Sequence, residues 1–184
     1  DISAVNINNI IDKFDVANGY TLTLSYSQFN GHKGVGTGTL KLSDTSLTGD
    51  QIKSVNDAST NAIDLTNVTT ISSSTMAQML EVVQNTGSTF TTNANYAVTI
   101  SDGTATAANL NAIDADTLGT VTATSVTSLS GTVSEVKTAV TSSGLSLSGS
   151  ETITVTGSGS AADLNTINGS TSELVTATSV TTIT

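Results

Sequence analysis

The chain has 184 residues, including 36 Thr and 26 Ser, and only 3% are aromatic, with no Trp, Pro, Arg or Cys. Five Lys face fifteen Asp and Glu, so the formal net charge is −10. This charge disfavours nucleic acid and anionic membrane surfaces, the lack of Cys excludes disulfides and thiolate zinc sites, and no apolar run is long enough for a membrane-spanning helix.

The first predicted element in chain order is an amphipathic helix near the N-terminus, followed further along by two similar ones. Apolar residues recur at the i, i+3, i+4, i+7 spacing of such helices. The three sets are Ile7, Ile10, Ile11 and Phe14; Met76, Met79, Leu80 and Val83; and Val133, Val136 and Val140. Each set precedes a polar loop and a strand-like phrase, at 40–42, 98–100 and 153–155.

An insertion interrupts this order near residues 20–39. Alternation from Tyr20 to Tyr26 predicts a strand, Asn30-Gly31 predicts a hairpin turn, and Gly36 begins a predicted return strand. We expect this hairpin to cap or dock. The insertion also holds the only His of the chain, so ligand contact is the alternative expectation. Its predicted contact residues are Tyr26, Phe29 and His32.

Internal repeats organise the rest of the chain. The phrase VTATSVT occurs at 121–127 and again at 175–181, and a slide of 54 residues aligns 163–181 with 109–127. A further slide of 58 brings 51–69 into the same register. These alignments predict three units, at 1–72, 73–130 and 131–184, each containing a helix, a loop, a strand, a short helix and a strand.

The repeats predict an α/β solenoid. Strands that are joined through helices are expected to be parallel with right-handed crossovers. One strand plus one helix takes roughly 28 residues, a length typical of leucine-rich-repeat-like coils. We therefore predict a solenoid of three repeats, with a parallel β-sheet on one face and short helices on the other.

The repeated phrase also predicts an outward row of threonines. Alternation places Val121 and Ala123 inside and Thr122 and Thr124 outside. The second copy places Thr176 and Thr178 outside in the same way, next to inward Val175 and Ala177. Such a flat array of hydroxyl and methyl groups suits ice or a glycan, although Thr also suits any exposed strand.

Other candidate chemistry is sparse. Asp44 and Asp102 occupy the same register and are weak calcium candidates, since hard cations take clustered oxygens. We predict no other cofactor and no catalytic residue. A carbohydrate-active β-solenoid enzyme with paired acids is the enzymatic alternative, but three Tyr and three Phe are few for a sugar-stacking groove.

The phrase AADLNTI at 161–167, followed by VTATSVTTIT at 175–184, resembles tandem repeats of very large bacterial cell-surface or secreted proteins, particularly those of cyanobacteria. The resemblance implies an extracellular location and a structural, filament, coat or adhesion role, and it transfers no functional residues. Neither end of the chain carries a capping pattern, so we expect the partner to be a neighbouring repeat or a second copy, with a glycan as a further candidate.

Overall fold

The computed structural model describes residues 12–85 and 87–184, which form six α-helices and fifteen β-strands. The helices are α1 (Tyr26–Phe29), α2 (Gly49–Ala58), α3 (Met76–Val83), α4 (Ala107–Asp116), α5 (Val133–Thr141) and α6 (Ala161–Asn168). The strands are β1 (Lys13–Val16), β2 (Thr21–Leu24), β3 (Lys33–Gly36), β4 (Thr39–Leu42), β5 (Ser46–Thr48), β6 (Ala62–Leu65), β7 (Thr70–Ser74), β8 (Phe90–Thr92), β9 (Ala97–Ile100), β10 (Thr104–Thr106), β11 (Val121–Thr122), β12 (Ser128–Thr132), β13 (Leu145–Ser146), β14 (Thr152–Gly159) and β15 (Val175–Ile183).

A hydroxyl residue starts each of these helices. Its side chain accepts a hydrogen bond from the backbone N–H three residues on, which satisfies one of the donors that a helix N-terminus leaves free. The six N-cap residues are Ser25, Thr48, Thr75, Thr106, Thr132 and Ser160. Part of the high Thr and Ser content therefore marks the points where strands give way to helices.

The molecule is a mixed α/β fold in which every strand pairing of the described residues is parallel. The sheet orders are β1-β3, β2-β4-β6-β8, β5-β7-β9-β11-β13 and β10-β12-β14-β15. We call each helix, with the strands that follow it up to the next helix, a layer. Every pairing joins adjacent layers, with β1 and β2 counted as the layer before α1, and each helix contacts the next one in sequence.

The core consists of apolar rows that run across the sheets. Residues that lie opposite each other on paired strands form one row through Leu47, Ile71, Val98, Val121 and Leu145. A second row passes through Ala105, Leu129, Ile153 and Val175. These side chains are buried, apart from Val175, which is half-buried. Each layer thus buries its inward side chains against the layers before and after it.

The structure confirms part of the predicted element order. Helices α3 and α5 cover the predicted sets at 76–83 and 133–140, and α2, α4 and α6 lie where the repeats predict short helices. The parallel strand direction is also confirmed. The prediction of a helix from the first amphipathic set is wrong at Phe14, which lies in strand β1. The other members of that set, Ile7, Ile10 and Ile11, lie outside the described residues. The unit boundaries at 72 and 130 stay predictions.

The predicted hairpin near residues 20–39 is wrong. Strand β2 pairs in parallel with β4, and β3 pairs in parallel with β1, so the two halves of the insertion do not fold back on each other. The physical cause is a capping box at Ser25 and Gln28, whose side chains each accept a hydrogen bond from the other's backbone N–H. This box starts α1 inside the segment that the alternation pattern assigns to a strand.

Candidate functional site

The predicted contact residues of the insertion lie together, but two of them belong to the core. Phe29 is buried and stacks on Phe14, with 6.3 Å between the ring centroids. His32 is also buried and meets the same Phe14 ring edge-on at 5.3 Å. Tyr26 is half-buried, and its hydroxyl lies 3.4 Å from the Asn30 side-chain oxygen. Of the three, only Tyr26 has substantial surface to offer a ligand.

The two calcium candidates perform the same structural task. A carboxylate oxygen of Asp44 accepts the backbone N–H of Tyr26 at 2.7 Å, at the start of α1. Asp102 accepts the N–H of Met76 at the start of α3, also at 2.7 Å. Each acid thus stabilises the N-terminus of the helix in its own layer, where a negative charge is favourable. Within residues 12–85 and 87–184 no three His, Asp or Glu side chains are grouped to hold a metal ion.

The four predicted ladder threonines do not form one row. Thr122 pairs with Thr99 and Ser146 in the sheet that ends at β13, whereas Thr176 pairs with Thr154 in the sheet that ends at β15. Thr124 lies in a turn and is exposed, and Thr178 is exposed within β15. The prediction that these threonines form one row is therefore wrong. The 54-residue slide aligns identical residues, but the two copies of the phrase lie in different sheets.

The observed hydroxyl surface lies on the sheet of β10, β12, β14 and β15. Three parallel rows of outward Thr and Ser cross it, at the strand spacing of about 4.8 Å. The rows are Thr104, Ser128 and Thr152; Thr106, Ser130, Thr154 and Thr176; and Thr132, Thr156 and Ser179. We call these residues the hydroxyl surface. The sequence signal for this surface is the alternation of a hydroxyl residue with an apolar one. It occurs in TAT at 104–106, SLS at 128–130 and TIT at 152–154, and a helix follows each phrase.

Polar side chains bridge the layers through backbone carbonyl groups. The buried Asn61 amide donates to the carbonyl oxygens of Val35 and Gly38, at 3.0 and 3.1 Å. The other bridging amides and hydroxyls are Asn67 to Leu42, Asn93 to Thr66, Thr69 to Thr45, Thr127 to Gly103 and Thr152 to Thr127. Each of these bonds links a side chain of one layer to the backbone of the layer before it.

One ionic cluster lies on the outward side of β4 and β6. The ammonium of Lys41 lies 3.0 Å from a carboxylate oxygen of Asp64 and donates to the Thr66 hydroxyl at 2.5 Å. The Thr66 hydroxyl in turn donates to Asp64 at 2.6 Å. Burial raises the pKa of Asp64, but hydrogen bonds from Thr66 and Lys41 outweigh it, so the pKa lies below its usual value. The cluster has the contacts of a structural ion pair.

Strands β13 and β15 are the last strands of their sheets. Among the described residues, β13 and β15 pair with a strand on one side only. A cavity of about 350 Å³ lies beside β13, between apolar Val140, Leu145 and Leu147 and the polar Ser148 and Ser170. No sequence signal marks this cavity.

A buried acid shapes the edge of this cavity. Glu151 is 1% exposed and accepts hydrogen bonds from the N–H and hydroxyl of Ser148, at 2.6 and 2.8 Å, and from the Gly149 N–H at 3.2 Å. Its carboxylate thus holds the loop at 148–150. Sequence reasoning missed this role, because Glu151 belongs to no motif.

Comparisons of this chain with family models, curated proteins and solved structures find no match. Across the described ranges, no helix has the length and apolar character needed to cross a bilayer. The surfaces above are therefore interpreted from their own geometry.

Proposed function

We propose that this chain is a non-enzymatic structural or adhesive segment of an extracellular or cell-surface repeat protein. In this proposal the layers are the coils of an α/β solenoid with three repeats, at 1–72, 73–130 and 131–184. The strand pairing supports this proposal, because every pair joins adjacent layers, as expected when each repeat contacts only its neighbours.

The observation that carries the proposal is how the polar side chains are used. Amides and hydroxyls that could line a reactive site instead donate to backbone carbonyls of the neighbouring layer, as Asn61 and Thr127 do. The acids Asp44 and Asp102 likewise bind helix N-termini. Side chains committed in this way favour a role in which the stacked shape itself is the function.

An antibody raised against the chain tests the location and the repeat context together. We expect it to label intact source cells, with the label removed by external protease. On a blot it is expected to detect a polypeptide much larger than 184 residues. Labelling that appears only after permeabilisation would contradict the extracellular role.

A second candidate function is binding of ice or a glycan, and the hydroxyl surface is the observation that favours it. Its rows repeat at the strand spacing across the sheet, and from β10 to β14 they also repeat every two residues along each strand, which suits a ligand that is itself periodic. A register shift between β14 and β15 ends this regularity at the last strand. The test compares the wild type with Thr154→Lys, at the centre of the surface, and with Thr99→Lys on another sheet. Inhibition of ice recrystallisation, or retention on insoluble polysaccharide, is expected to be lost only in Thr154→Lys. No activity in the wild type would remove this candidate.

A further inference from the structure

We infer that the chain carries two sites of spontaneous covalent modification, Asn18 and Asn30, at which the side-chain amide is lost as ammonia. The sequence contains the pair Asn-Gly three times, at 18–19, 30–31 and 168–169. Because glycine has no Cβ, little hinders its nitrogen from attacking the amide carbon of the preceding asparagine. The structure distinguishes the three pairs, and the inference goes beyond the proposed function without depending on it.

The reaction consumes only water. The glycine nitrogen forms a bond to the asparagine Cγ, the Cγ–Nδ2 bond breaks, and Nδ2 leaves as ammonia with the proton of the glycine N–H. The product is a cyclic imide, and water then breaks one of its bonds to the glycine nitrogen. Cleavage at Cγ gives aspartate. Cleavage at the main-chain carbonyl gives isoaspartate, in which the main chain runs through Cβ and Cγ and is one atom longer.

The pair at 30–31 lies in an exposed turn that leaves the glycine nitrogen without an acceptor. Asn30 has φ −56° and ψ 127°, Gly31 has φ +88°, and the His32 N–H donates to the Phe29 carbonyl oxygen at 2.9 Å, which together define a type II turn. No described residue accepts the Gly31 N–H, and a Cβ at Gly31 would meet nothing within 4 Å. The peptide between Asn30 and Gly31 can therefore turn until the nitrogen meets Cγ.

The pair at 18–19 has the same arrangement. The Tyr20 N–H donates to the Ala17 carbonyl oxygen at 3.1 Å, and Gly19 has φ +79°. Within the described ranges the Gly19 N–H also has no acceptor, and a Cβ there would again meet nothing within 4 Å. Asn18 and Gly19 are both exposed, so water reaches the imide as soon as it forms.

The pair at 168–169 is equally exposed, but hydrogen bonds hold it. Asn168 is the last residue of α6, and the Gly169 N–H donates to the Asn165 carbonyl oxygen at 2.9 Å. Ser170 secures this helix end, because its N–H and its hydroxyl donate to the carbonyl oxygen of buried Ile167 at 3.1 and 2.7 Å. These bonds must open before the nitrogen reaches Cγ, so we expect Asn168 to react at least about 10-fold more slowly than the turn sites.

Conversion at Asn30 reaches the core as well as the surface. Phe29 and His32, on either side of this turn, are buried and pack on the Phe14 ring at 6.3 and 5.3 Å between ring centroids. Isoaspartate lengthens the main chain between them and adds a negative charge, so we expect it to lower the unfolding midpoint. At Asn18 the neighbouring residues are exposed, so we expect conversion there to change the midpoint little.

Mass mapping of the folded chain tests the two sites. The chain has no Arg, so trypsin cleaves it only after Lys, which places both turn sites in peptide 14–33 and the helical site in peptide 138–184. After weeks at neutral pH we expect the mass increase that replaces NH₂ by OH in peptide 14–33, at both asparagines. Fragmentation of the peptide separates the two positions and distinguishes isoaspartate from aspartate.

The same chain unfolded in guanidinium chloride is the control, because there all three pairs are expected to react at similar rates. Conversion of Asn168 as fast as the turn sites in the folded chain would overturn the inference. So would an absence of conversion at the turns of the folded chain. Conversion at one turn alone would overturn the assignment of the other.

Matched variants test the effect on the core. Asn18→Gln and Asn30→Gln each remove one site, since a glutamine would have to close a larger ring that forms more slowly. Each variant is compared with its own fresh sample by urea denaturation after the same incubation. We expect the midpoint to fall in Asn18→Gln, as in the wild type, and to stay constant in Asn30→Gln. Equal losses in the two variants would overturn the effect assigned to the turn at 29–32.

Discussion

The phrase VTATSVT at 121–127 and its copy at 175–181 have the same sequence but different structural environments. In the first copy Val121 and Ala123 are fully buried, between β9 and β13, and a turn follows at once. In the second copy Val175 and Ala177 are half-buried in the long strand β15, which pairs with β14 alone. The comparison shows that these side chains are fully buried only where a layer packs on both sides. An identical sequence therefore does not ensure an equivalent place in the fold.

The same substitution in both copies gives the largest expected contrast. Val121→Ala removes buried methyl groups and should lower the free energy of unfolding by about 1.5–3 kcal/mol, whereas Val175→Ala should cost less than about 1 kcal/mol. Urea denaturation of the two variants measures the difference. Equal losses of unfolding free energy in the two variants would mean that Val121 and Val175 are equally buried, which would contradict the structure.

A pair of glycines tests how closely neighbouring layers approach. A Cβ at Gly119 would lie 2.2 Å from the backbone oxygen of Tyr96, the residue directly before β9, whereas a Cβ at Gly103 would meet only Thr127 at 3.9 Å. We expect Gly119→Ala to lose about 1–3 kcal/mol of stability and Gly103→Ala to change it little. Thermal unfolding of both variants distinguishes close packing from a general effect of replacing glycine.

Removing a bridging amide tests the bonds between layers. In Asn61→Ala the carbonyl oxygens of Val35 and Gly38 lose a buried donor, and we expect a loss of about 1–2 kcal/mol. Asn95→Ala, at an exposed turn position, is the matched control and should be nearly neutral. Similar denaturation midpoints for the two variants would show that the amide bridges do not contribute to stability.

The smallest expected effect concerns pH. The pKa of Asp64 is lower in the folded state than in the unfolded state, so its stabilising contribution is present above the unfolded value of about 3.9 and is lost as the pH falls through the folded value. The contribution of this partly exposed pair should be below about 1 kcal/mol. The free energy of unfolding of Asp64→Asn, measured between neutral pH and pH 3, should lack this acid-dependent loss. If the pH profile of the variant equals that of the wild type, Asp64 is not the source of the loss.

Local periodicity predicted more of the fold than of the surfaces. Helices α3 and α5 follow from their apolar spacing, and the parallel strands follow from the helices that connect them. The insertion was mispredicted because the capping box at Ser25 outweighs strand-like alternation. The threonine row was mispredicted because the register aligns Val175 with Ile153 and Leu129, rather than with Val121. Register depends on loop lengths between layers, which residue identity alone does not specify.

Amide hydrogen exchange of the two VTATSVT segments tests the central claim, that stability here comes from neighbouring layers. Within the shared sequence the intrinsic exchange chemistry is nearly the same, so differences report structure. In the dilute protein we predict markedly stronger protection at 121–127, which lies between two layers, than at 175–181 in the last one. Equal protection, or stronger protection at 175–181, would contradict the account.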